Sequence, residues 1–189
     1  MGNCWFVDSV EVAPTPHDEI ALLAATDLQT TAVVGDDFAW ARESDAFSGK
    51  KPVSAFPERG EGFRQYLIYL DHNAPNELRY MFSTARERAV VFSEIYYPKG
   101  WKAWIEPAGA YGEVRNGHYQ PTEDAVQIEL FRADWILRGA IIPEGEGQLI
   151  MRFEPDSYQL GENISRVSSI ALILLLLLSC AGAVLLKKE

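Results

Sequence analysis

The chain has 189 residues, 48% hydrophobic and 12% aromatic, enough for one well-cored domain and too apolar for an intrinsically disordered segment. Its 27 acidic residues outnumber 17 basic ones, and the net charge of -10 repels phosphate backbones, which argues against a nucleic-acid partner. Cys4 and Cys180 stand near opposite ends of the chain, so no disulfide is expected between them.

Trp5–Val12 reads as an opening strand, and Thr15-Pro16 starts a short helix with Asp18 and Glu19 in its first turn. Ile20, Leu22 and Leu23 are expected to form that helix's apolar face. TAVV at Thr31–Val34 is a β-branched strand. Residues 36–62 are polar and rich in Gly and Pro, with no sustained period, and are expected to form a long surface loop.

From Phe63 the pattern is of strands. FRQYLIYLD is strand-like, Asp71-His72-Asn73 reads as a solvated polar turn, and Pro75-Asn76 marks a turn. Leu78, Tyr80 and Phe82 alternate with polar residues, the period-2 signature of a half-buried strand. Val90–Tyr97 and Trp101–Ile105 are strands joined by Pro98-Lys99-Gly100. Trp101, Ala103 and Ile105 share one face, with Lys102, Trp104 and Glu106 opposite. Residues 109–122 look loop-like with a turn at Asn116-Gly117, and a further strand is expected over Asp124–Phe131. Asp134–Ile142 and Gln148–Phe153 flank a Pro143–Gly147 segment expected to close a hairpin. The whole predicts a mainly β domain over residues 1–156, an antiparallel β-sandwich with one short N-terminal helix.

Residues 157–189 are expected to hold a single transmembrane helix and a short tail. Val167–Leu186 carries no charge, and its twenty residues rise about 30 Å as a helix, the thickness of a bilayer core. The run is too apolar on every face for a surface helix, and Lys187-Lys188-Glu189 after it disfavours a glycolipid-anchor signal. Those lysines favour a cytoplasmic C-terminus, although Arg166 flanks the other end. MGNCWFVDSV has neither a basic nor a long apolar leader region, so read alone the chain is tail-anchored with its domain in the cytosol.

No catalytic, metal or cofactor signature stands out: His17, His72 and His118 are scattered, and no phosphate-binding glycine loop or Cys-x-x-Cys occurs. Glu94 and Glu106 are candidates for an acid/base pair only by composition. Glu94 and Arg138 stand in apolar strands that could pair, making a structural ion pair one reading and two outward-facing charges the other. The aromatics of VVFSEIYYPKGWKAWI read mainly as packing, and Trp104 is the candidate for an exposed contact. Asn163-Ile164-Ser165 matches a glycosylation sequon next to the apolar run.

Six stretches occur in order: GNCWFVDSV, TAVV, APNELRY, VVFSEIYYPKGWKAWI, DWILRGAIIPEG and MRFEPDSY. Together they resemble the C-terminal region of the YfhO-family bacterial membrane proteins, above all those of Bacteroidetes, which are related to GT-C-type glycosyltransferases. The resemblance implies that the chain is the end of a polytopic protein whose upstream helices place the β domain outside the cytoplasm. It implies an accessory role in moving sugars from lipid carriers to envelope polymers, with catalysis elsewhere in the parent. Implied partners are the bilayer, those upstream helices, and an envelope glycan or lipid-linked sugar. Residues 106–131 depart from the family pattern as an insertion with an extra strand. The competing expectation is a free-standing, membrane-anchored binding module, for example for glycans.

Overall fold

The computed structural model describes residues 2–43, 66–109, 112–115 and 118–186, the side chains of residues 66, 118, 156, 158–160 and 177–186 excepted. The elements in chain order are β1 (Cys4–Val7), β2 (Ser9–Ala13), α1 (Pro16–Ala25), β3 (Thr31–Gly35), a 3-10 helix (Asp36–Arg42), β4 (Tyr66–Ala74), β5 (Glu77–Thr84), β6 (Arg88–Ile95), β7 (Trp101–Pro107), β8 (Glu113–Arg115), β9 (His118–Gln120), β10 (Val126–Ile128), β11 (Leu130–Ala133), β12 (Leu137–Ile142), β13 (Gly145–Phe153) and α2 (Asp156–Leu186). Two compact units result, divided between Phe153 and Glu154.

The first unit is mainly β, as its alternation and turn spacing predict, and its two larger sheets are antiparallel. One has the order β1-β6-β12-β11, the other β10-β7-β13-β5-β4. Their facing sides share a core: Val90, Phe92, Ala140 and Ile142 from the first, Tyr80, Phe82, Ala103, Leu149 and Met151 from the second. The opposite side of the four-stranded sheet is also buried. Ala89, Val91, Phe131 and Ala133 there pack against Val10, Ala32, Val34 and Ala41 of β2, β3 and the 3-10 helix. Ala89–Phe92 therefore reads as an unbroken apolar run because both its faces are covered.

A further layer is a parallel pair, β2 with β3, connected through α1. Thr15 caps α1 by accepting a hydrogen bond from the Asp18 backbone N–H. The buried face of that helix differs from the expected one. Ile20 is 55% exposed, whereas Glu19 is 1% exposed and accepts from both terminal guanidinium nitrogens of Arg132 at 2.8 and 3.0 Å. A partner 113 residues away makes an acidic position the inward one.

Several boundaries fall elsewhere than the sequence suggests. The opening strand divides at Asp8, whose carboxylate pairs with Arg88 and whose N–H donates to the Thr30 carbonyl at 2.7 Å. Asp71-His72-Asn73 is no turn but the end of edge strand β4, which has a register irregularity between Leu70 and His72. Of the expected loop over 36–62, the first residues form the 3-10 helix, held by Ala41 in the core and Trp40 edge-on to Phe131 at 5.8 Å. Residues 44–62 of that loop lie outside the described residues, as does the Asn116-Gly117 turn. Either side of that turn, β8 and β9 pair, so 109–122 carries a hairpin where a loop was expected.

The expected hairpin at Pro143–Gly147 is an arch. β12 pairs with β6 and β11, β13 with β5 and β7, and the chain crosses from one sheet to the other. Gly145, at φ 122, makes the corner. Gly147 follows where a Cβ would stand 2.2 Å from the Glu106 carbonyl oxygen, a contact only glycine escapes. The single strand expected at Asp124–Phe131 likewise splits, β10 joining one sheet and β11 the other.

In the second unit, α2 is a 31-residue helix with an Arg166–Glu162 ion pair at 2.8 Å, one turn apart. Val167, Ile170 and Leu172–Leu176 are all more than half exposed on it. Among the described residues no helix is long and apolar enough to cross a membrane. The second half of the expected span Val167–Leu186 has its side chains outside that description.

Candidate functional site

The two strand crossings at one end of the β unit create its candidate site. After β6 the chain leaves the four-stranded sheet through Tyr96–Gly100 and enters the other sheet as β7, with Gly100 at φ 99 closing the turn. After β10, which pairs with β7 (Gln127 opposite Trp104), it crosses back at Glu129 into β11. Between the crossings lies a cleft of about 470 Å³, lined by Tyr96, Tyr97, Trp101, Lys102, Gln127 and Glu129, among others.

The aromatic wall is fixed from behind. The guanidinium of Arg138 lies 4.1 Å from the Trp101 ring centre, and Phe153 packs on the same ring at 5.4 Å. Arg138 is 2% exposed and is itself anchored, donating to the Ile95 carbonyl at 3.0 Å and to Met151 Sδ at 3.3 Å. Burial lowers its pKa, and the charge of Glu94 opposes that shift. Tyr96 meets Phe38 edge-on at 5.5 Å, and its N–H donates to the Ile136 carbonyl at 2.7 Å. Burial, then the negative charge of Glu129, pushes the Tyr96 phenol up, so a neutral hydroxyl lines the cleft at physiological pH.

Glu94 and Arg138 thus stand on paired strands, β6 and β12, with Glu94 half-buried and acting on Arg138 through its charge. The guanidinium's described bonds run to Ile95 and Met151, and its face goes to Trp101. Trp104 points from the other face of β7. It is half-buried, 5.7 Å from the Arg152 guanidinium, and outside the cleft, whose tryptophan is Trp101. The sequence points to Trp101 only as core. Its second role needs both crossings, although two tyrosines beside Pro98 at a strand end were a visible signal.

Glu106 corrects a second expectation, that of an outward-facing residue beside Trp104. It is fully buried because the β8–β9 hairpin covers it. The Tyr119 hydroxyl donates to Glu106 at 2.6 Å and accepts from the Gly112 N–H at 2.6 Å. The Thr122 N–H donates to Glu106 at 2.5 Å and the Tyr119 N–H to Glu77 at 3.0 Å, while Arg79 lies over the Tyr119 ring at 4.9 Å. Burial first, then the bond to Glu106, push the Tyr119 phenol up to about 12. The β8–β9 hairpin is therefore clamped onto the outer face of the five-stranded sheet. Glu94 and Glu106 lie on different sheets and share no site.

Among the described residues, no group of three or more His, Cys, Asp and Glu side chains is disposed to hold a metal ion. Cys4 is a free thiol whose pKa burial pushes up to about 12. Folded protein at pH 8 is therefore expected to leave Cys4 unlabelled by a maleimide over minutes, and denatured protein to label it at once. Equal labelling rates in the two states contradict this. No family model, curated protein or solved structure matches the chain.

Proposed function

We propose that the chain is a membrane-anchored, extracytoplasmic β-sandwich module, the C-terminal part of a YfhO-like protein that moves sugars from lipid carriers to envelope polymers. In this reading the two facing antiparallel sheets are the sandwich, and catalysis belongs to another part of the parent protein. The module shapes or shields the acceptor side of that reaction. The observation that carries the reading is α2: its exposed side chains from Val167 to Leu176 are apolar apart from Ser168 and Ser169, and the uncharged run continues to Leu186. An apolar surface of that extent is costly in water and favourable in lipid. The order of six sequence stretches that resembles the family adds the extracytoplasmic placement.

Alkaline carbonate extraction tests the anchor. The full chain is expected in the membrane pellet, and a Leu174→Arg/Leu176→Arg double variant is expected to shift towards the supernatant, since each central arginine costs about 2.5–3.5 kcal/mol of insertion. Wild-type chain in the supernatant contradicts the anchor. The second reading, a free-standing surface module on a single helix, is favoured by the aromatic cleft, whose described lining lies wholly between Tyr96 and Leu130 of the β unit.

A further inference from the structure

We infer that the cleft between the two strand crossings is a binding site for a neutral pyranose ring, with Trp101 as its stacking platform and Arg138 as the residue that positions it. A cleft of about 470 Å³ falls within the range of small-molecule sites. Its lining narrows the ligand class. Tyr96, Tyr97 and Trp101 offer flat faces and edges of the kind that pack on C–H groups. Lys102, Gln127 and Glu129 add donors and acceptors to the same lining.

A ligand matching both must carry an apolar face and a rim of hydroxyls, which is the chemistry of a sugar ring. One lysine and one glutamate leave the lining without net charge, and the chain as a whole is acidic, so phosphate or nucleotide is disfavoured. A purely apolar ligand would strip water from the exposed Gln127 and Glu129 side chains and return no hydrogen bond to them. The platform is preorganised. Arg138 packs against the Trp101 ring from a buried position, pinned by the Ile95 carbonyl and Met151, so the indole needs little ordering on binding.

The inference deepens the envelope reading but rests on the cleft alone. Carbonate extraction can succeed while sugar binding fails, or the reverse, so the two failures are distinguishable. The test uses the full chain in a detergent without a glycosidic headgroup, since such a headgroup would compete. Saturation-transfer NMR is run with methyl glucoside, methyl galactoside, methyl mannoside and N-acetylglucosamine, and inorganic phosphate is followed by its phosphorus resonance.

Transfer is expected to the ring C–H protons of at least one pyranose. Trp101→Ala is expected to weaken that binding about tenfold, and Gln127→Ala by a similar or smaller factor. Gln127 is exposed, so its variant folds even if Trp101→Ala does not, and Trp5→Phe, at the second core, is expected to bind as the wild type. The inference is overturned if no pyranose shows transfer at about 10 mM, a concentration that reveals even millimolar affinity. It is equally overturned if binding survives Gln127→Ala and a folded Trp101→Ala unchanged, or if phosphate binds in place of the sugars.

Discussion

Replacing Glu106 by alanine is expected to destabilise the β unit by about 2–4 kcal/mol and to release the β8–β9 hairpin. The side chain is fully buried and receives two short hydrogen bonds, from the Tyr119 hydroxyl and the Thr122 N–H. Deleting it leaves the Tyr119 hydroxyl, itself within the protein, without the acceptor it now has, and opens a gap under the hairpin. Bonds to a charged group are individually worth about 1.5–3 kcal/mol, which sets the scale. Chemical denaturation followed by tryptophan fluorescence measures the loss, and limited proteolysis between Gly112 and Gln120 reports the release. Glu113→Ala provides the control. Its pair with Arg115 is three-quarters exposed at both ends, so that variant is expected within about 0.5 kcal/mol of the wild type. Equal stability of Glu106→Ala and wild type contradicts the clamp.

Asp134 is expected to make the fold less stable as pH rises from about 4 to about 6. It sits at φ 49 in the β11–β12 turn and acts as an edge for β3. Its N–H donates to the Val33 carbonyl at 2.7 Å and its Oδ1 accepts from the Val33 N–H at 2.8 Å. Burial pushes the carboxyl up from 3.8 to about 6, and the charge of Glu19 adds to this while the Val33 N–H opposes it.

A folded pKa above the unfolded one means that the native state holds the proton more tightly. The stabilisation is full below the unfolded pKa and lost as pH rises through the folded one. The raw shift converts to at most about 3 kcal/mol, and relaxation around the carboxylate reduces the expectation to about 1–2 kcal/mol. Asp134→Asn keeps an oxygen for Val33, tolerates the left-handed backbone and removes the charge. Relative to the wild type it is therefore expected to gain about 1–2 kcal/mol between pH 4 and pH 7.5. Parallel stability curves for the two proteins contradict the assignment.

Periodicity made the faces of most strands legible and their partners illegible. Leu78, Tyr80 and Phe82 point inward as the alternation of polar and apolar residues requires, and so do Ala103 and Ile105. Alternation is the same for a strand in a hairpin and a strand in an arch. It could not show that Pro143–Gly147 crosses between sheets, or that the chain changes sheet at Glu129. Buried charge was illegible for a related reason. Glu19 and Glu106 read as surface residues because Arg132 and Tyr119, which make their burial tolerable, are neighbours only in the fold. Of the site, the sequence showed the aromatic stretch but assigned the contact to Trp104. The alternate face of a strand is the one that periodicity selects, whereas the tryptophan that lines the cleft is Trp101, which also packs against the core.

The placement of the β unit outside the cytoplasm carries most of the proposed function, and an introduced cysteine tests it most directly. Glu144 is exposed on the arch between β12 and β13, whereas Cys4 is a partly buried thiol with a raised pKa and Cys180 lies in the uncharged run. With Glu144→Cys introduced into the native gene, a membrane-impermeant maleimide is expected to label the protein in intact cells as fully as after lysis. Labelling that appears only after lysis would place the domain in the cytoplasm and contradict the account.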